Sequence, residues 1–595
     1  MTREKVEALR RLMQEHDVRA YIISGKDPHQ SEYAPDLWQR RRFISGFTGS
    51  AGDVVITRST AGFWTDFRYY LQAEDQLDSD VFTLFKTGLP DVPTFESWLA
   101  QVLGKGDKVG LDTRLFSCDD YENLREKLEG AGKILCPIDE NLVDAIWEDQ
   151  PALPKDPVRV HDMVFAGESV ADKLFRIRAL MQVAKAEAHV VTMLDAIAWL
   201  FNLRGSDVVF NPVFVAYAVV TVEDVTLYVN PEKMTEKVRT HLGKEVRLAP
   251  YDEFENGLQA LRKTSARIWI DPSTCSQWVV DQLRPDVQIL FRESPVKRFK
   301  AIKNETERKG SRSAHIRDGA ALVKMLVWLE EAVPAGGVTE RVISSKLEEF
   351  RAQGEHFRGP SFESIVGYGE HGAIIHYAAT PETDMAIEPR GILLIDSGGQ
   401  YLDGTTDVTR TLALSTPTEE QRDRFTRVLK GHIRLTMQPF PQGTDGVQLD
   451  TLARMFLWET GCNFGHGIGH GVGSYLNVHE SPPSISYIAG RGIKPEPGMI
   501  CSNEPGYYKA GEYGLRQENL VEVCEVPGLG KDGVPFYKLE PLTLCPIDLK
   551  LVDRSLLTQE EIDWLNDYHA RVRNSLLPLL PVKEAAWLEK ATQPL

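Results

Sequence analysis

Residues Asn463–Glu480 read NFGHGIGHGVGSYLNVHE, with three histidines (His466, His470 and His479) and five glycines in eighteen positions. Glycine lets a backbone turn sharply and approach other groups closely, and it adds nothing to a core. Histidine offers a neutral nitrogen ligand or a proton carrier near neutral pH. Alternating the two describes a segment folded tightly around chemistry. If that chemistry uses a metal, carboxylates must come from elsewhere in the chain.

Upstream lies GILLIDSGGQYLDGTTDVTRTLAL, residues 391–414. Gly391–Ile395 is an apolar strand ending in Asp396, and Asp407 opens a second strand, Val408–Leu414, after a glycine-rich turn. Two carboxylates at the mouth of one hairpin lie side by side across the strands. Without compensation they repel and one stays protonated, a conflict that a divalent cation removes. Asp also caps turns, and this pair read alone is open to that explanation. Downstream, Glu504 in CSNEPGYY and Glu518 in GLRQENLVEV border apolar runs where a solvated glutamate is out of place. Two Asp, two Glu and His470 form an oxygen-rich donor set with one nitrogen, suited to Mn²⁺, Co²⁺ or Zn²⁺. A shared carboxylate pair suits two metals as well as one.

The whole chain of 595 residues is too long for one core and points to about three or four domains. Its formal charge of −18 disfavours nucleic acid and anionic membrane as partners. Seven scattered cysteines, odd in number and never in a CxxC pair, make neither a disulfide framework nor a thiolate zinc site. They fit a reducing, cytoplasmic setting. The N-terminus is an amphipathic, charged helix without the apolar core of a signal peptide, and no run nears the roughly 18 apolar residues of a membrane span.

An αβ pattern fills residues 1–150, with strands at Ala20–Ser24, Val54–Ile56 and Gly62–Trp64. The proline-rich Asp149–Pro157 then interrupts regular structure. A second αβ region, 158–297, is expected to hold one long helix from about Ser169 to Leu203, then strands at Val213–Val220 and Thr226–Val229. The two regions echo each other loosely, which suggests an internal duplication. A basic, proline-interrupted boundary at Glu293–Asn304 precedes the third region, 304–595. There, helices span about 305–331 and 339–353, and short glycine-rich strands follow. Half of the fourteen histidines fall between His356 and His479. Near the end, Thr558 and Glu561 form a capping-box signature.

The ordered set GAIIHY, LIDSG, TTDVTR, GHGIGHGVG, NVHE, NEPGYY and LRQEN resembles the pita-bread metallopeptidases, and among them the three-domain aminopeptidase P group. FISGFTGSAGDVVI and PVKRFKAIKNETE extend the resemblance over nearly the whole chain. The segment Glu307–Gly319 departs from it near Lys309, where the family is usually more apolar. The resemblance implies two creatinase-like αβ domains followed by a pita-bread catalytic domain, an α/β (α+β) chain. It implies a dinuclear site, usually manganese, with Asp407 and Glu518 bridging both ions. Asp396 would bind one ion, and His470 with Glu504 the other. His376, His466 and His479 would bind substrate, stabilise the tetrahedral intermediate and shuttle protons, with Glu504 taking part in proton transfer. Arg516 would support a ligand carboxylate.

The implied reaction is release of the N-terminal residue from peptides with proline second, by a hydroxide shared between two metals, in a cytoplasmic homodimer. A prolidase restricted to dipeptides, a methionine aminopeptidase without such N-terminal domains and a metal-free creatinase-type hydrolase share the fold. A non-catalytic peptidase-like binding module is the alternative from another class, and the five intact ligand positions weigh against it.

Overall fold

The computed structural model describes residues 2–595 apart from Ala489, Arg491 and Asp532. The chain forms two compact units, one of residues 1–160 and 169–296, the other of residues 161–168 and 297–595.

The first unit contains two sheets. One comprises β1 (Ala20–Ile23), β2 (Asp53–Thr57), β3 (Ala61–Thr65), β4 (Thr83–Lys86), β5 (Lys108–Leu111) and β6 (Ile134–Pro137), ordered β4-β3-β2-β1-β5-β6. The other comprises β7 (Ala188–Val191), β8 (Ala216–Thr221), β9 (Val225–Val229), β10 (Val246–Ala249), β11 (Arg267–Ile270) and β12 (Gln288–Phe291), ordered β10-β9-β8-β7-β11-β12. The sheets agree in orientation as well as order. Each has two antiparallel pairings around its first two strands, then parallel pairings to the edges. The loose sequence echo is therefore a repeat of topology. The two repeats meet at an antiparallel bridge between Ser117 and Ser276, flanked by bonds from Cys118 N to Cys275 O (3.0 Å) and from Gln277 N to Phe116 O (2.9 Å).

One expectation fails here. The proposed helix from Ser169 to Leu203 is two helices, α1 (Val170–Ala184) and α2 (Leu194–Leu200), separated by β7. All four residues of β7 are buried. A short central strand buried at every position lacks the in-and-out alternation that separates strand from helix. Lys185 closes α1 in the left-handed conformation (φ 55°) and redirects the chain into that strand.

In the second unit, α3 (Glu305–Ala335) starts at a capping box between Asn304 and Glu307, and α4 (Glu340–Ala352) packs beside it. Both helices cover a three-stranded antiparallel sheet of β13 (Ile365–Tyr368), β14 (Ile392–Ser397) and β15 (Val408–Ala413). A six-stranded sheet follows the order β16-β23-β22-β19-β17-β18. Its strands are β16 (Phe440–Pro441), β17 (Gly469–Gly471), β18 (Glu480–Ile485), β19 (Ile500–Asn503), β22 (Asn519–Glu525) and β23 (Phe536–Pro541). Between β19 and β22, the hairpin of β20 (Gly506–Lys509) and β21 (Tyr513–Arg516) stands apart. Helix α5 (Glu419–Met437) contributes Val428 and Leu435 to the core under the six-stranded sheet, and Phe425, Leu429 and Ile433 to a neighbouring one. The capping box at Thr558 and Glu561 opens α6 (Gln559–Leu576), as its residues suggest.

Candidate metal centre

Backbone register sets the first two carboxylates side by side. Asp396 in β14 pairs with Thr409 in β15, so Asp407, two residues back, is its diagonal neighbour on the same face. Both are buried. Glu518, in the turn between β21 and β22, joins them from the other sheet. Its N–H bonds Thr409 O at 3.2 Å, and its Oε2 accepts from Thr409 Oγ at 2.9 Å.

The glycine-rich segment closes the cluster. Gly469 lies so near β19 that a Cβ there would sit 2.4 Å from Ser502 O. The neighbouring His470 N donates to Ser502 Oγ (3.0 Å), and Ser502 Oγ donates to Glu504 Oε1 (3.1 Å). Nδ1 of His470 lies 2.9 Å from Gly471 O, a partner that only accepts, so that nitrogen carries the proton. Nε2 is then the electron-pair donor, 3.6 Å from Asp407 Oδ2 and 3.4 Å from Glu504 Oε1. Ligand atoms of Asp407, His470 and Glu518 all lie within 4.8 Å of one another.

Electrostatics shows what this convergence lacks. Burial, then Glu518 and Asp396, push the Asp407 carboxyl well above its ordinary range. Burial and the neighbouring carboxylates do the same to Glu518, and Glu504 is pushed up to about 7 by burial and Asp396 against the pull of Arg516. Asp396 Oδ1 and Asp407 Oδ1 are buried with no hydrogen-bond partner among the described residues. Buried carboxylates with orphaned oxygens beside an oriented imidazole fit divalent cations in charge and in donor type.

Arg516 is the guanidinium within the cluster. It donates to Asp396 Oδ2 (2.7 Å), to Thr409 Oγ (3.1 Å), to Ile375 O (3.3 Å) and to Tyr508 OH (2.8 Å). Tyr508 OH lies 2.9 Å from His466 Nε2, while Nδ1 of that histidine faces Gly467 O at 2.7 Å. Those acceptors set the direction of the relay: Arg516 donates to Tyr508, and Tyr508 donates to His466. His479 stacks edge-on to His470 with ring centroids 4.3 Å apart. His376 follows Ile375, whose carbonyl Arg516 holds.

All nine residues singled out from sequence, Arg516 included, thus belong to the second unit. Sequence reasoning passed over Tyr508, although it stands in NEPGYY. A second tyrosine beside Tyr507 carries no local signal, and its role appears only when β20 and β21 pair, placing Tyr508 opposite Gly514 and on the diagonal from Arg516.

The two N-terminal repeats match the creatinase/prolidase N-terminal domain, over residues 5–146 and 149–307. Residues 309–525 match metallopeptidase family M24, and residues 535–595 match the C-terminal region of that peptidase family. The chain belongs to the M24 metallopeptidases. Over its full length it is 42% identical to aminopeptidase P2 of Arabidopsis thaliana, of which 88% is covered. It is 44% identical to a probable Xaa-Pro aminopeptidase P of Laccaria bicolor, with 94% of that protein covered. The crystal structure of X-prolyl aminopeptidase from Caenorhabditis elegans, described as a cytosolic enzyme with a di-nuclear active site, superposes with a TM-score of 0.95. The identity there is 36%, with 100% of both chains covered.

Proposed function

We propose that this chain is a metal-dependent aminopeptidase that releases the N-terminal residue from peptides with proline at the second position. The observation that carries the reading is the cluster of buried Asp396, Asp407 and Glu518 with half-buried His470 and Glu504, with orphaned carboxylate oxygens on the two aspartates, in an M24 chain. The full-length relatives bearing the Xaa-Pro aminopeptidase name supply the substrate class.

These five residues would hold two divalent cations, Mn²⁺ first, with Zn²⁺ and Co²⁺ as alternatives. When bound, such ions acidify water for attack near neutral pH and polarise the scissile carbonyl. The protein's own groups do the rest. Glu504 takes a proton from the attacking water and delivers it to the departing prolyl nitrogen. His376 or His479 steadies the negative charge that develops on the carbonyl oxygen. His466, its acceptor nitrogen oriented by Tyr508, shapes the substrate side of the cleft. Arg516 restrains Asp396 and offsets charge that the cations do not neutralise.

We further assign three domains, 1–150, 158–297 and 304–595, supported by the repeated sheet topology and by the successive family matches. A cytoplasmic location is part of the same reading, supported by seven unpaired cysteines and by the description of the nematode relative as cytosolic; the homodimer comes with the family resemblance alone.

The test is hydrolysis of an Xaa-Pro-Yaa tripeptide and an Xaa-Pro dipeptide by Mn²⁺-loaded and chelated protein, with metal stoichiometry measured alongside. Cleavage of the tripeptide that is lost on chelation is expected. Cleavage of the dipeptide alone would make the chain a prolidase, and no cleavage at two metal equivalents would refute peptidase activity. Light scattering in solution tests the dimer.

A further inference from the structure

We propose that His432, a residue of α5 far from the ligands in sequence, is a positioning residue that sets the spacing between Glu504 and Glu518. The inference rests on the reading of those two glutamates as ligands.

The last rung of the β19–β22 ladder is the pair Asn503 and Asn519. One strand continues from Asn503 directly into Glu504. The other is entered from Glu518 directly into Asn519. Whatever fixes this rung fixes the separation of both carboxylates. His432 is wholly buried and grips the rung from three directions. Its Nδ1 lies 3.0 Å from Asn503 O, its own carbonyl accepts from Asn503 Nδ2 at 2.9 Å, and its Nε2 lies 3.2 Å from Asn519 Nδ2.

The protonation pattern follows from groups with a single choice. Arg410 can only donate, and its Nη2 meets Asn519 Oδ1 at 2.8 Å. The Asn519 amide therefore turns its NH₂ to His432, whose Nε2 must accept. The ring proton is then on Nδ1, where the Asn503 carbonyl, an obligate acceptor, takes it. A neutral imidazole is required, and burial followed by the charge of Arg410 pushes His432 down to about 3. Arg410 also donates to Glu518 O at 2.6 Å, tying the same network to the ligand's own backbone. The arrangement is one tautomer, one amide orientation and one rung, with a proposed ligand attached to each strand.

Three variants test it: His432→Leu removes both ring contacts, His432→Asn keeps a donor where Nδ1 stood, and His432→Gln keeps an acceptor where Nε2 stood. The readouts are Mn²⁺ titration calorimetry and the visible absorption of the Co²⁺-substituted protein, with thermal unfolding of the chelated protein as a check on folding. The expected result is wild-type binding of two equivalents, with one of them weakened about 10–100-fold in the Leu variant. An altered Co²⁺ spectrum and partial recovery in Asn or Gln should accompany it. A Leu variant with both affinities within about twofold of wild type and the same spectrum overturns the proposal, even if its Tm falls. Should the Leu variant not fold, the Asn and Gln variants are judged by the same criterion. Failure of the wild type to bind two equivalents would instead take down the ligand assignment itself, and the proposal with it.

Discussion

Arg516 Nη2 and Asp396 Oδ2 lie 2.7 Å apart across 120 residues of chain, with the guanidinium almost fully buried. The same guanidinium also serves Tyr508 and Thr409, a division that depends on its planar fork of donors. Arg516→Lys keeps the charge but gathers its donors on one nitrogen, which cannot reach all four acceptors, Asp396, Thr409, Tyr508 and Ile375 O. We expect kcat/KM to fall about 10–100-fold, with loss of bound metal, checked by steady-state kinetics and metal analysis of the same sample. Unchanged kinetics would show that charge alone suffices at this position.

Metal removal should leave a protein whose stability depends on pH with a definite sign. In the metal-free cluster Asp407 and Glu518 are held well above their ordinary values, and Glu504 at about 7. A carboxyl raised on folding binds more protons in the native state than in the unfolded one. Its contribution is therefore fully present below the unfolded pKa of about 4 and is lost as pH rises through the folded value. The Tm of chelated protein should fall between about pH 5 and 8 while that of Mn²⁺-loaded protein holds, so the gap widens with pH. Differential scanning fluorimetry with chelator or Mn²⁺ measures it, and a gap constant over that range would contradict the charge balance described above.

Tyr508→Phe deletes one oxygen between Arg516 and His466 and leaves the ring in place. We expect kcat to drop about 10–100-fold with the metal content unchanged, because the relay ends at a histidine that is not among the ligands. A normal kcat would remove His466 and Tyr508 from the working site.

Gly469→Ala addresses the approach of the glycine-rich segment to β19. The added methyl would sit 2.4 Å from a backbone oxygen, Ser502 O, which cannot swing away. The strands must part, carrying His470 from Glu504. We expect weaker metal binding together with about 1–3 kcal/mol of lost stability, read by calorimetry and by denaturant unfolding. Wild-type values for both would mean that β17 moves without cost.

The proposed metal donors stood out in sequence because their chemistry demands an uncommon combination: carboxylates at strand ends and a histidine among glycines. The diagonal of Asp396 and Asp407 follows from a hairpin whose turn is written in glycines. Of the supporting groups, Arg516 came with the family resemblance, and Tyr508 and His432 were not legible. Tyr508 and His432 act through partners 8 and 87 residues away, and neither position breaks the local pattern of its element. In the first unit the repeat showed as a faint echo while its common strand order did not. The strand Ala188–Val191 was absorbed into a helix because its four buried residues, three apolar and His189, carry no period of their own.

The eight residues 161–168 belong with the second unit although the chain leaves that unit for 128 residues afterwards. They pack as a strap: His161 meets Tyr475 with ring centroids 5.7 Å apart, Phe165 meets His356 at 5.2 Å, and Ala166 O accepts from Asn304 Nδ2. Tyr475 lies between His470 and His479 and holds a positive φ of 49°. A catalytic fragment beginning at Lys297 would keep Lys300 and Lys303, the buried partners of Glu480, but would leave the strap behind. One beginning after Lys303 would also strand Glu480, beside His479, as a buried charge without its cations. No single cut separates this peptidase unit intact, so its smallest faithful version has to include a detour through the domain before it.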